Sequence, residues 1–138
     1  MVDATIHDET VAVGPVYIAG PITAVGTRTV QQNVEQAARA LDYLTRRRVA
    51  AICPQLTAAV SSLDGVPYED WMAVDFLLIA SCRAVLALPF WDTSAGTRRE
   101  LTFAAEHQIP VFYRADHLLE HLGVGARAAR PFGAPPRG

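Results

Sequence analysis

The sequence predicts an α/β fold around a parallel sheet, and three observations carry that expectation. Short apolar runs at residues 16–20, 49–53, 84–89 and 109–113 alternate with stretches whose apolar residues recur at helical spacing. The run Ala84–Pro89 (AVLALP) is apolar throughout, as a strand covered on both faces requires. The runs stop abruptly in Gly-Pro, Pro or Pro-Phe-Trp, as strands do where they open into loops. Right-handed crossovers then put helices on both faces. The result is a flavodoxin/Rossmann-like three-layer sandwich with four to five parallel strands in the order 2-1-3-4.

Residues 1–14 lack periodicity, end at Gly14-Pro15 and read as a flexible leader. Val16–Gly20 (VYIAG) is β-branched and aromatic, a first strand that Pro21 ends. From about Thr29, Val34, Ala37, Ala38, Leu41 and Leu44 fall on one helical face, with Gln, Glu and Arg between them. Arg46-Arg47-Arg48 closes that helix, where cations suit the negative end of the dipole; so short a run reads as a solvated helix end. Val49–Cys53 is a second strand stopped by Pro54, and Ser61–Pro67 (SSLDGVP) is a loop by composition. YEDWMAVDFLLIASC is a helix expected to turn Trp71, Val74, Leu77, Leu78 and Cys82 inward. After the Ala84–Pro89 strand, a helix runs from about Ala95 to His107, IPVFY makes a fourth strand and DHLLEHL closes as a short helix. Beyond Leu122 the chain is mostly Gly, Ala, Arg and Pro, a flexible tail over 123–138, which leaves residues 15–122 as one domain.

With 138 residues, 51% hydrophobic and 19% charged, the chain suits a single globule with a real core. A net charge of −2 gives no electrostatic footprint for nucleic acid or an anionic membrane. Asp3, Asp8 and Glu9 stand where a signal peptide needs positive charge, and no apolar run nears the ~20 residues of a membrane span. Cys53 and Cys82 sit in apolar stretches, without metal-ligand spacing, as buried reduced thiols of a cytoplasmic protein do. There is no G-x-G-x-x-G and no Walker loop, and no cofactor is expected. His117–Leu118–Leu119–Glu120–His121 spells the H-x-x-E-H zinc pattern, yet its leucines, with Leu122, read as a packed amphipathic helix, so no metal is expected.

The order 2-1-3-4 puts a switch point between strands 1 and 3, and ligands bind outside the carboxyl ends of the strands there. One wall is Gly20, Pro21, Ile22 and Thr23: Gly20 permits close approach, Pro21 ends the strand and Thr23 supplies a hydroxyl. The other is LPFWDTSAGTRRE. In it Ser94 is a natural N-cap, Gly96 removes side-chain bulk, and Glu100 follows Ser94 by six residues. The positive helix end is expected to favour ionised Glu100, a nucleophile for an acetal-like carbon. Asp75, flanked by Val74 and Phe76, is a second carboxylate that needs partners, and Tyr17 adds a hydroxyl. Each also has a plain structural reading. Glu100 suits a solvated helix, Asp75 a surface ion pair with Arg39 or Arg83, Tyr17 a packed strand, and Trp91 either core or a stacking platform for a base.

In three places, VYIAGPIT, YEDWMAVD and LPFWDTSAGTRRELTFA, the chain resembles the nucleoside 2-deoxyribosyltransferase-like superfamily, which includes deoxynucleoside monophosphate N-glycosidases. The likeness spans roughly residues 16–113 and is nearest to a branch of small members with an AGPIT start and an LPxWxxSxGxxxE loop. It implies that Glu100 attacks the anomeric carbon to form a glycosyl-enzyme intermediate. By the same likeness Asp75 assists at base and sugar, Tyr17 positions the nucleophile, and Ser94 and Gly96 line the sugar or 5′-phosphate pocket. Ser94 stands where transferase members carry Asp, which is the monophosphate hydrolase pattern. The implied partners are a small-molecule nucleoside or nucleotide and further copies of the chain, in a homodimer or homotetramer, with no nucleic acid and no membrane. The alternative is a non-catalytic nucleotide-binding module of the same fold.

Overall fold

Two short, buried strands organise the molecule. The structure is a computed structural model and describes residues 14–60 and 65–124. β1 (Val16–Ala19) and β3 (Ala84–Ala87) are buried at every residue and pair in parallel, from Val16 opposite Ala84 to Ala19 opposite Ala87. β2 (Ala51–Ile52) adds to β1 and β4 (Val111–Phe112) to β3, both parallel, so the order is β2-β1-β3-β4. Sheet order and class are those expected from the sequence, with four strands. The expected leader lies outside the described residues apart from Gly14, and the tail apart from Gly123 and Val124.

Alternation along β1 and β3 builds two cores. Val16, Ile18, Ala84 and Leu86 face α1 (Val30–Arg46) and α5 (Ala115–His121), where they meet Ala37, Leu44, Leu118 and Leu119. Tyr17, Ala19, Val85 and Ala87 face α3 (Tyr68–Ala80) and α4 (Ala95–Glu106), where they meet Ile79, Leu101 and Ala104. Leu118 and Leu119 are buried, so the HLLEH segment packs as its leucines predict; among the described residues no His, Cys, Asp and Glu cluster is arranged to hold a metal.

α1 starts where Thr29 caps it. Thr29 Oγ1 accepts from Gln32 N and the Gln32 side chain accepts from Thr29 N, a T-x-x-Q capping box. Two expectations need correction. Pro54 does not merely end β2; it is the first residue of α2 (Pro54–Val60), where a missing N–H costs nothing. In α3, Val74 and Leu77 do not point inward: they are 50% and 71% exposed, while Met72, Ile79 and, just beyond the helix, Cys82 are buried. Beyond its acidic first turn the helix carries apolar side chains on every side, so periodicity chooses no inner face; its one mid-helix acid, Asp75, does.

The arrest of β1 has a local cause. β2 is too short to pair with the end of β1, and the buried Gln55 side chain of α2 takes its place. With its amide oriented to suit both partners, it donates to Ile18 O at 3.0 Å and accepts from Gly20 N at 3.2 Å. On the other side Leu88 N donates to Ala19 O at 2.8 Å. A Cβ on residue 20 would lie 3.1 Å from both the Gln55 amide and Leu88, so glycine is needed for this clamp. Gln55→Leu leaves two buried backbone groups unpaired. It is expected to lower the unfolding free energy by about 2 kcal/mol in urea denaturation, and an unchanged midpoint would contradict the clamp.

Candidate active site

Tyr17, Asp75 and Glu100 come from three separate elements and converge. Tyr17 points from β1 into the α3/α4 side. Thr97, Glu100, Leu101 and Ala104 form the buried stripe of α4, and that spacing carries Glu100 down to the sheet at 7% exposure. Tyr17 Oη donates to Glu100 Oε2 at 2.5 Å. Asp75 lies on the same α3 stripe as Met72 and Ile79, half-buried, and its carboxyl group is within hydrogen-bonding reach of both Glu100 and Tyr17. Phe76 follows it and stacks on Phe103 of α4, ring centroids 4.6 Å apart, which fixes the rotation of α3 against α4.

Electrostatics follow from the burial. Desolvation pushes Glu100 up to about 8, against the Tyr17 hydrogen bond, which favours the carboxylate; Asp75 adds to the rise. Asp75 is also raised by burial, while hydrogen bonds from Glu100 and Tyr17 oppose the shift. Burial and the neighbouring Asp75 carboxyl group both favour the protonated form of Glu100, and the two carboxyl groups titrate as one coupled pair. The expectation that the helix dipole keeps Glu100 ionised is overturned: desolvation and a neighbouring carboxylate outweigh the helix end. Burial, then Glu100 and Asp75, raise Tyr17, which stays a hydroxyl donor. Nearby Cys53 is pushed up to about 12 by burial and remains a thiol.

The remaining predicted residues line the two strand ends. Ser94 does cap α4, its Oγ accepting from Thr97 N at 3.1 Å. Gly96 lies under Tyr68, whose hydroxyl would be 3.1 Å from a Cβ there, so its small size admits a tyrosine of the same chain. Trp91 is half-buried and tilts against Tyr113 at 5.4 Å, pairing the ends of β3 and β4. Pro21 is buried, whereas Ile22 and Thr23 are exposed. Sequence reading missed Asn33, which is buried and donates to Ile22 O and Thr23 O at 3.2 and 3.1 Å. It also missed Gln36, which donates to Pro89 O at 2.9 Å, so that α1 ties both strand ends. A buried Asn among apolar helix positions was the available signal.

The carboxyl pair makes stability depend on pH with a definite sign. Glu100 loses its proton near 4.5 when unfolded and at about 8 when folded. Below that window both states are protonated and nothing is lost. As pH rises through it the unfolded chain ionises first and binds fewer protons, so stability falls. Across that window each step of one pH unit removes at most about 1.4 kcal/mol. Glu100→Gln is expected to flatten this decline and to exceed the wild type in urea midpoint at pH 8 but not at pH 4. Tyr17→Phe removes the carboxylate's donor and is expected to carry the decline to higher pH. A wild-type profile that is flat between these pH values would contradict the pair.

No curated protein matches this chain. A family model does, described as "Domain of unknown function (DUF4406)", and it covers residues 15–113, from just before β1 to just after β4. The match contains Tyr17, Asp75 and Glu100 together with both strand ends at the switch point. By that match the chain belongs to the DUF4406 family.

Proposed function

We propose that the protein cleaves or transfers at the N-glycosidic bond of a deoxynucleoside or nucleoside 5′-monophosphate, with Glu100 as nucleophile. The observation that supports this most is the convergence of Tyr17, Asp75 and Glu100, three residues singled out from the sequence on chemical grounds, into one hydrogen-bonded cluster. A coupled carboxyl pair suits the chemistry. The proton passes from Glu100 to Asp75, freeing the Glu100 carboxylate. One of its oxygens then bonds to the anomeric carbon as the carbon–nitrogen bond breaks. The electron pair goes to the base nitrogen, which takes the proton from Asp75. Water or a second base displaces the sugar from Glu100 and returns a proton to Asp75. Retaining carboxyl pairs act about 5 Å apart, so a substrate must part Glu100 from Asp75 as it binds. No cofactor enters these steps.

Glu100→Ala is expected to abolish base release from deoxynucleosides and their 5′-monophosphates, a loss of about a thousandfold or more, followed by chromatography of the free base. Tyr17→Phe is expected to retain part of the activity. Wild-type protein that releases no base from any of these substrates would end the enzymatic reading. Thermal stabilisation by nucleotides in that case would leave the non-catalytic binding module.

The second partner proposed is another copy of the chain, seated on α3. Val74 and Leu77 stand half or more exposed on this largely apolar helix, a pattern suited to burial. On the adjoining α3/α4 surface Glu69 and Arg99 pair within the chain, while Arg98 and Glu106 carry one charge of each sign, so two copies related by a two-fold axis can match acid to base there. Leu77→Glu is expected to convert a dimer to monomer in sedimentation without loss of helicity. A wild type that is already monomeric would contradict it. A cytoplasmic location accords with the two free, buried cysteines, and among the described residues no helix is long and apolar enough to cross a membrane.

A further inference from the structure

On the α1 side of the switch point, away from the carboxyl pair, the strand ends enclose a second feature. A pocket of about 140 Å³ is lined by Thr23, Val25, Thr27, Arg28, Asn33, Phe90 and Thr93. Arg28 is its cation. The side chain is half-buried and held on several sides: Nε donates to Asn33 Oδ1 at 2.7 Å, Nη2 to Gln36 Oε1 at 3.0 Å, and the guanidinium lies 4.1 Å from the centre of the Phe90 ring. All of these partners are neutral, and among the described residues no carboxylate forms an ion pair with Arg28. A charge drawn partly out of water and fixed without a counter-ion lacks the partner that such groups ordinarily have.

Phe90 is shaped to the same end. It adopts φ 69°, in the left-handed region that a bulky residue enters only at a cost, and it is held there by Thr93, whose Oγ1 and N both bond Phe90 O at 2.7 and 3.1 Å. The strained backbone turns the ring beneath Arg28. Thr23 and Thr27 add exposed hydroxyls. A preorganised guanidinium edged by hydroxyls matches a tetrahedral oxyanion better than a neutral ligand.

We propose that this pocket is an oxyanion site, with Arg28 as its anchor, that takes the phosphoryl group of a small phosphate monoester. The site stands on the pocket's own geometry and does not depend on the chemistry at Glu100. Titration calorimetry at constant ionic strength tests it with inorganic phosphate, a deoxynucleoside 5′-monophosphate and the matching nucleoside. Phosphate and the monophosphate are expected to bind and the nucleoside to bind more weakly. Tighter binding of the monophosphate identifies an ester as the ligand, and equal binding identifies free phosphate. Arg28→Gln is expected to weaken both by tenfold or more. Should that variant not fold, Thr27→Val, which leaves the Arg28 clamp intact, is expected to weaken both several-fold. Failure of the wild type to bind phosphate or monophosphate, or binding that Arg28→Gln leaves unchanged, overturns the site. Neither result touches base release, which is read separately through Glu100.

Discussion

A carboxyl group carried into a protein interior must find partners or stay protonated, and Glu100 does both. Tyr17 gives it a hydrogen bond from the central strand, and burial beside Asp75 of the neighbouring helix favours its protonated form. Much of the local architecture follows from that need. The depth of α4 is set by a stripe that includes Glu100, and the rotation of α3 brings Asp75 inward while Val74 and Leu77 are left outside. The Phe76–Phe103 stack holds the two helices in this arrangement.

The second constraint is the short sheet. Because β2 has only two residues, the end of β1 cannot complete its ladder, and side chains do so instead. Gln55 clamps Ile18 and Gly20, Asn33 holds Ile22 and Thr23, and Gln36 holds Pro89. The crevice thus rests on amide side chains, each replacing a backbone partner the sheet does not supply. The bareness of Gly20 and Gly96 serves this scaffold as well, admitting Gln55 and Leu88 at one and Tyr68 at the other.

The sheet order and the places of the strands were legible because β1 and β3 are apolar runs of a kind only a doubly covered strand tolerates, although each strand is shorter than its apolar run. Asp75 was legible as an acid in costly surroundings, and Glu100 by its place six residues after the Ser94 cap at the end of the third strand. The facing of α3 was not, since a helix apolar on every side carries no phase in its sequence. Nor was α2: Pro54 is both a good strand stop and a good helix start, and the letters alone do not choose. The ionisation of Glu100 was misjudged from the helix dipole, because depth of burial belongs to the tertiary structure. Arg28 and Phe90 left little trace, their importance lying in a stacking and a backbone angle that only the fold creates.

The coupled titration is tested most directly by following the Glu100 and Asp75 carboxyl carbons by NMR as pH is raised. A coupled pair predicts that Asp75 ionises first and that Glu100 follows well above the ordinary carboxylate range, with each resonance sensing the other's step. Two independent titrations near ordinary carboxylate values would contradict it.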